Sequence, residues 1–281
     1  MNHKKTIQGL VVFFTSLLTF ILLWNLLLPS AKPVMTKVQS TEELSQFHYV
    51  AIGDSLTQGV GDTTNQGGFV PLLAQSLTNE NAFQVTSVNY GVSGNTSAQI
   101  LKRMQEKSEI KESLKDADLL TLTVGGNDVR KVVLDHFLDL SASSFTTPAK
   151  TYTQNVKEII RLARAENPTL PIYVVGIYNP FYLNFPELTE MQTVVDSWNQ
   201  TTENTVKQFE NVYFVPINDR LYKGVNGQSG VAQIGNDKTI ITNDALYSED
   251  SFHPNNTGYE IMKDAILEKV NETKDQWKSK K

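Results

Sequence analysis

A serine, a histidine and an aspartate can together transfer an acyl group, and this 281-residue chain carries all three in suggestive surroundings. In "HYVAIGDSLTQGVGD", residues 48–62, Ser55 follows the apolar run Tyr49-Val50-Ala51-Ile52. That run reads as a short buried strand ended by Gly53. A serine in such a turn commonly bonds only to nearby backbone. To act as a nucleophile it needs a base to take its proton and a third group to orient that base. The chain has four histidines. His3 precedes an apolar segment, His48 stands at or beside a strand start, and His136 lies between Leu134 and Phe137, where a structural role is expected. His253 alone has an acid three residues earlier in a loop. In Asp250-x-x-His253 the carboxylate can hold one imidazole nitrogen while the other faces Ser55.

Acyl transfer also needs donors for the oxyanion. Asn127 offers a side-chain amide, and the glycines before it allow backbone to approach a ligand closely. Gly94 offers a backbone N–H where a side chain would block the site, and the Ser55 N–H is a third donor. Taken singly, each glycine also reads as a tight turn.

These residues need elements to position them. Strands are expected at 48–53, 84–89, 118–124, 171–177 and 211–216, with helices near 68–79, 96–106, 149–166, 187–209 and 255–270. Strands alternating with helices imply an α/β fold with a parallel sheet covered on both faces. The nearly continuous apolar strands fit burial on two sides. Residues 128–148 and 217–252 read as long loops, a length often tied to function. Ligands of open parallel sheets bind at the carboxyl ends of the strands. The segments at those ends are Gly53-Asp54-Ser55-Leu56, "NYGVSGNTS" and Gly125-Gly126-Asn127-Asp128, and "EDSFHPNNTGY" precedes the last helix. All four should meet on one edge.

In this order, "GDSL" at 53–56, the glycine of "GVSGNTS" at 94, "GGND" at 125–128 and "DSFHPNNTGY" at 250–259 resemble the four motif blocks of the SGNH (GDSL-type) hydrolases. The resemblance spans about residues 47–270. It implies a three-layer α/β/α, flavodoxin-like fold with a five-stranded parallel sheet. It also implies that Ser55 is the nucleophile, His253 the base and Asp250 its orienting acid, with Ser55, Gly94 and Asn127 forming the oxyanion hole. Asn95 stands where relatives often carry aspartate, a change expected to touch local capping rather than catalysis. Thr57 occupies the position where the G-x-S-x-G elbow of α/β-hydrolases needs glycine, which disfavours that fold.

By the same resemblance the protein is a serine esterase, and no metal or cofactor is implied. The family includes lipases, thioesterases and enzymes that remove or transfer acetyl groups on polysaccharides. In "GIYNPFYLNFPEL", 176–188, Tyr178, Phe181, Tyr182 and Phe185 are candidates to line an acyl groove. They tilt the reading towards lipid or acyl esters. A carbohydrate O-acetyl esterase or envelope acyltransferase comes second, and a non-catalytic membrane-anchored binding protein is the alternative of another class.

Composition narrows the setting. A net charge of −5 without a basic stripe argues against nucleic acid as a partner. With no cysteine in the chain, disulfides, thiolate metal sites, a cysteine nucleophile and a lipidated N-terminal cysteine are excluded. Lys4 and Lys5 precede a run from Leu10 to Leu28 that only Thr15, Ser16, Thr19 and Asn25 interrupt. Its length suits a bilayer, and "PSA" after it is a poor cleavage site. The expected organisation is a cytoplasmic 1–8, an uncleaved anchor at 9–29 and a linker at 30–46. A hydrolase domain at 47–275 outside the cytoplasm and a polar tail at 276–281 complete it. Secretion after signal cleavage is the alternative.

Overall fold

In the computed structural model of the chain, residues 3–27, 45–81, 83–136, 138–183, 190–234 and 238–278 are described. The chain divides into two units, residues 1–43 and 44–281. Of the first, the described part is one helix, α1 (His3–Leu27). Its segment Ile7–Trp24 contains no charged residue and is long and apolar enough to cross a bilayer. Its length and composition are compatible with a membrane anchor or a signal sequence.

The second unit runs β1 (Ser45–Gly53), α2 (Ser55–Gln58), α3 (Phe69–Asn81), β2 (Phe83–Gly91), α4 (Ser97–Glu106), α5 (Ser108–Lys115), β3 (Leu119–Thr123) and α6 (Gly126–Asp135). It continues through α7 (Thr146–Ala163), β4 (Ile172–Val175), α8 (Glu190–Val206), β5 (Val212–Val215) and α9 (Asn218–Leu221). The hairpin β6 (Gly230–Ile234) and β7 (Lys238–Thr242) and the helix α10 (Asn256–Lys278) end it. Five strands form one parallel sheet in the order β2-β1-β3-β4-β5. One row across it reads Val88, Val50, Leu120, Ile172, Val212.

Alternation of side chains along each strand feeds two cores. Val50, Ile52, Leu120, Leu122, Ile172 and Val174 pack against α4 to α8, through residues such as Ile100, Met104, Val156, Ile160 and Trp198. Tyr49, Ala51, Leu119, Tyr173 and Val175 face the other way, against Phe69 and Leu73 of α3 and Met262 and Ile266 of α10. The result is the three-layer α/β/α fold, and it brings the carboxyl ends of β1, β2 and β3 side by side.

All five expected strands form. The long loops are more ordered than sequence suggests. Residues 126–135 make α6, because Val129 and Val132 share its inner face, and residues 217–252 contain α9 and the antiparallel hairpin. The polar tail is also corrected. Helix α10 runs to Lys278, with Trp277 buried and its Nε1 donating to Tyr173 Oη at 3.0 Å. Only residues 279–281 of that tail lie outside the described residues. Of the linker at 30–46, residues 30–44 lie outside them too, while Ser45 and Gln46 already belong to β1.

Candidate active site

Ser55 opens α2 directly after β1. The Asp54 carboxylate accepts from the Leu56 N–H at 3.0 Å, the usual helix cap, and Gly59 ends the turn at a φ of 89°. Gly53 is required by close approach: a Cβ there would lie 2.2 Å from Thr123 Oγ1 and 2.5 Å from Thr57 Oγ1. Those two hydroxyls bond at 2.7 Å, and Thr123 Oγ1 donates to Asp54 Oδ1 at 2.8 Å. Thr57, which sequence marks only as a missing glycine, thus helps to lock the serine turn onto β3.

The loop before α10 brings the other two residues. His253 Nε2 lies 2.9 Å from Ser55 Oγ, and His253 Nδ1 lies 2.6 Å from Asp250 Oδ2. Ser251 takes the left-handed conformation, φ 51°. This lets the Asp250 carboxylate fold back, and its Oδ1 accepts the N–H groups of Phe252 at 2.9 Å and His253 at 3.0 Å. Partial burial works against ionisation of Asp250. The hydrogen bonds from the His253 ring and the two backbone N–H groups outweigh it and hold the carboxyl below its ordinary value. An ionised acceptor on Nδ1 leaves Nε2 free to take a proton from Ser55. The other two described histidines whose side chains are placed stand elsewhere: His48 Nδ1 is 3.0 Å from Thr86 Oγ1, and His136 Nδ1 is 3.4 Å from Asp139 at the surface.

Asn127 is the second residue of α6, in its first turn, and its Nδ2 donates one of its two hydrogens to the Asn95 carbonyl at 3.0 Å. This bond fastens Asn127 to the loop that carries Gly94. Gly94 has a φ of 78° and open space where a Cβ would stand, so conformation rather than crowding by the protein calls for glycine. Ser93 N donates to Gln58 Oε1 at 2.6 Å, tying the same loop to α2. The cap of α4 is Thr96, whose N–H is taken by Gln99 at 2.9 Å; Asn95 has no part in it. Asp128 supports the site from behind, accepting from Ser97 N at 2.9 Å and Ser97 Oγ at 2.5 Å. Burial pushes the carboxyls of Asp54 and Asp128 up.

A cavity of about 40 Å³ lies on the β3–β4 side of Ser55, lined among others by Ser55, Val124, Asn127, Ile177, Tyr178 and Phe252. Tyr178 is the candidate aromatic that lines it, with its hydroxyl donating to the Phe252 carbonyl at 2.5 Å. Phe181 stands behind, its ring 6.1 Å from that of Phe252, and Tyr182 packs edge-on to Tyr222 at 4.7 Å. Neither is among the residues that line the cavity. Phe185 lies outside the described residues. A separate cleft of about 670 Å³ is lined by residues of the loop Gln58–Gly67 and by Tyr247. Ser55 is not in its lining, and the cleft meets the site through Gly61, where a Cβ would lie 3.3 Å from that of His253.

The model of the GDSL-like lipase/acylhydrolase family matches residues 51–261, from within β1 into α10. The chain belongs to this family. It is an ester-hydrolysing enzyme. Among relatives of this GDSL-family enzyme, the Bacillus subtilis protein YpmR is 31% identical over 235 residues, covering 83% of this chain and 85% of the relative. Two solved structures show the fold. A lipase, Lip_vut3, from a goat rumen metagenome is 23% identical with a TM-score of 0.61 over 79% of this chain and 96% of its own. The acetylxylan esterase Axe2 of Geobacillus stearothermophilus is 18% identical with a TM-score of 0.55 over 81% and 95%.

Proposed function

We propose that the enzyme hydrolyses its ester through an acyl-enzyme on Ser55. The observation that carries this reading is the unbroken hydrogen-bond chain from Ser55 Oγ through His253 to Asp250. His253 Nε2 takes the hydroxyl proton as Oγ attacks the carbonyl carbon, and Asp250 stabilises the resulting imidazolium. The free N–H of Asn127 and the backbone N–H groups of Ser55 and Gly94 receive the oxyanion. The alcohol leaves with the proton from His253. A water activated by the same ring then releases the acid and restores Ser55.

The small cavity at Ser55 and the larger cleft along the loop after α2 support a particular substrate. The small cavity on the Tyr178 side has room for few atoms beyond the carbonyl, which suits acetyl-sized acyl groups. The larger cleft, with Gln58, Asp62, Thr63 and Asn65 in its lining and Gly61 against His253, suits a bulky polar alcohol such as a sugar. This reading prefers short-acyl esters of polar alcohols to long-chain lipid esters. A helix α1 that stays uncleaved would hold this domain at the outer face of the membrane.

A ladder of p-nitrophenyl esters from acetyl to decanoyl, run beside acetylated oligosaccharides, tests the substrate. The expected result is kcat/KM highest at two to three carbons. A maximum at eight carbons or more would return the substrate to lipid. Labelling of wild-type protein, but not Ser55→Ala, by a fluorophosphonate tests the nucleophile.

A further inference from the structure

Arg103, on α4, plays no part in the chemistry described so far, yet its guanidinium reaches three segments of the site. Nε donates to Asn95 Oδ1 at 2.7 Å, one terminal nitrogen donates to the Tyr90 carbonyl at 3.0 Å, and the other donates to the Gly53 carbonyl at 2.9 Å. Tyr90 stands at the end of β2, and Gly53 ends β1 two residues before Ser55. Asn95 follows Gly94 directly, and its own carbonyl receives Nδ2 of Asn127 at 3.0 Å. One rigid, half-buried fork thus fixes where the backbone of Ser55, the backbone of Gly94 and the side chain of Asn127 stand relative to one another.

We infer that Arg103 is the positioning residue of the oxyanion hole, acting through Asn95. The inference rests on the reading of Ser55 as nucleophile and adds to it. An oxyanion hole works because its donors are already aimed before charge develops, and donors from three chain segments need a common brace. Gly94 has no protein packed where its Cβ would be, so its loop relies on hydrogen bonds for its place. Of those bonds, the Asn95–Arg103 bond couples the loop to both neighbouring strands at once. A lysine presents a single point of charge in place of the planar fork, and it cannot serve all three acceptors in this geometry. Asn95 is the link, which gives that position a positioning role in place of the local capping expected of it.

The test compares Arg103→Lys, Asn95→Ala and Asn127→Ala in the full-length protein, with p-nitrophenyl acetate as substrate. Asn95→Ala removes the side-chain link to Arg103 but keeps the carbonyl that holds Asn127 and leaves the bonds from Arg103 to both strands. Both Arg103→Lys and Asn95→Ala should lower kcat roughly 10- to 100-fold with KM within about twofold, as expected for loosened oxyanion donors. Because Arg103 and Asn127 act on the same oxyanion, Arg103→Lys should cost at most about threefold more in an Asn127→Ala background, a coupling that independent sites do not show. In Arg103→Lys, adding Asn95→Asp should recover part of kcat by offering the ammonium a carboxylate.

A purely structural Arg103 would lower the melting temperature and leave kcat of Asn95→Ala at the wild-type value, and that result would overturn the inference. Fully multiplicative losses with Asn127→Ala would overturn it as well. Should Arg103→Lys fail to fold, the kcat of Asn95→Ala and its coupling to Asn127→Ala decide the matter alone. Failure of the underlying reading shows separately, as an active Ser55→Ala protein.

Discussion

Ser55 Oγ and His253 Nε2 stand 2.9 Å apart although 198 residues separate them in the chain. The distance is set by the end of β1 on one side and by the Asp250 turn, anchored through the Tyr247 N–H to the His253 carbonyl at 2.7 Å, on the other. Replacing either partner should therefore abolish turnover without disturbing the fold. Ser55→Ala and His253→Ala are expected to lower kcat on a small ester by roughly 10⁵-fold or more, and Asp250→Asn by about 10⁴-fold or less, since it misorients the imidazole without removing it. Steady-state kinetics with circular dichroism as a fold control checks this. A folded Ser55→Ala protein that keeps a few per cent of activity would refute the assignment.

Asn127→Ala removes one of the proposed oxyanion donors and the bond to Asn95. The expected loss is about 10²- to 10³-fold in kcat with KM nearly unchanged. A rise in KM alone would mark Asn127 as a contact to the ground state instead.

Asp54 makes the stability depend on pH in a direction opposite to a salt-bridged carboxylate. Burial holds its carboxyl above the ordinary value in the folded protein. The folded state then keeps a proton that the unfolded chain releases near pH 4. Its contribution is fully present below that pH and is lost as pH rises through the folded value. The Asp54→Asn substitution keeps an acceptor for the Leu56 N–H and has no proton to lose. Melting temperatures of wild type and Asp54→Asn measured from pH 4 to 7 should diverge, with the wild type falling relative to the variant. Asp250, shifted the other way, remains in both proteins and cancels. Asp128 is raised chiefly by burial and in smaller part by the Asp54 charge, so the divergence reports Asp54 together with its coupling to Asp128. Parallel curves would contradict the prediction.

Trp277 ties the end of α10 to the sheet through burial and its bond to Tyr173. Trp277→Ala should cost about 3 kcal/mol, lowering the melting temperature by roughly 6–12 °C for a domain of this size. Trp277→Phe, which loses chiefly the hydrogen bond, should cost about 1 kcal/mol. Calorimetry distinguishes the two, and activity at room temperature should be unaffected by either. Equal, negligible shifts would place the end of the domain before residue 276.

Much of this site is legible from local chemistry. Ser55 follows an apolar run that can only be buried on both faces, and His253 has its acid within one turn of chain. Short-range relations of this kind survive without knowledge of the fold, because strand ends, glycine turns and an Asp-x-x-His loop are dictated by neighbours in sequence. The helix α6 was hidden because "GGND" reads as a turn, and its apolar stripe of Val129 and Val132 is short. Trp277 was hidden by the charged residues around it, which resemble a solvated tail until a distant tyrosine offers a partner.

The alternation of strands and helices, the order of the four polar segments and the identity of the serine, histidine and aspartate are all present in the chain before it folds. They depend on hydrophobic periodicity and on residue type, both of which are local. Folding alone settles which carbonyls Arg103 finds, that Asn127 is held by Asn95, and that Tyr178 rather than Tyr182 lines the cavity. Each of these joins groups from different strands and helices. Such contacts depend on the order in which strands assemble, β2-β1-β3-β4-β5, and sequence spacing carries no distance between the ends of strands that pair across the fold.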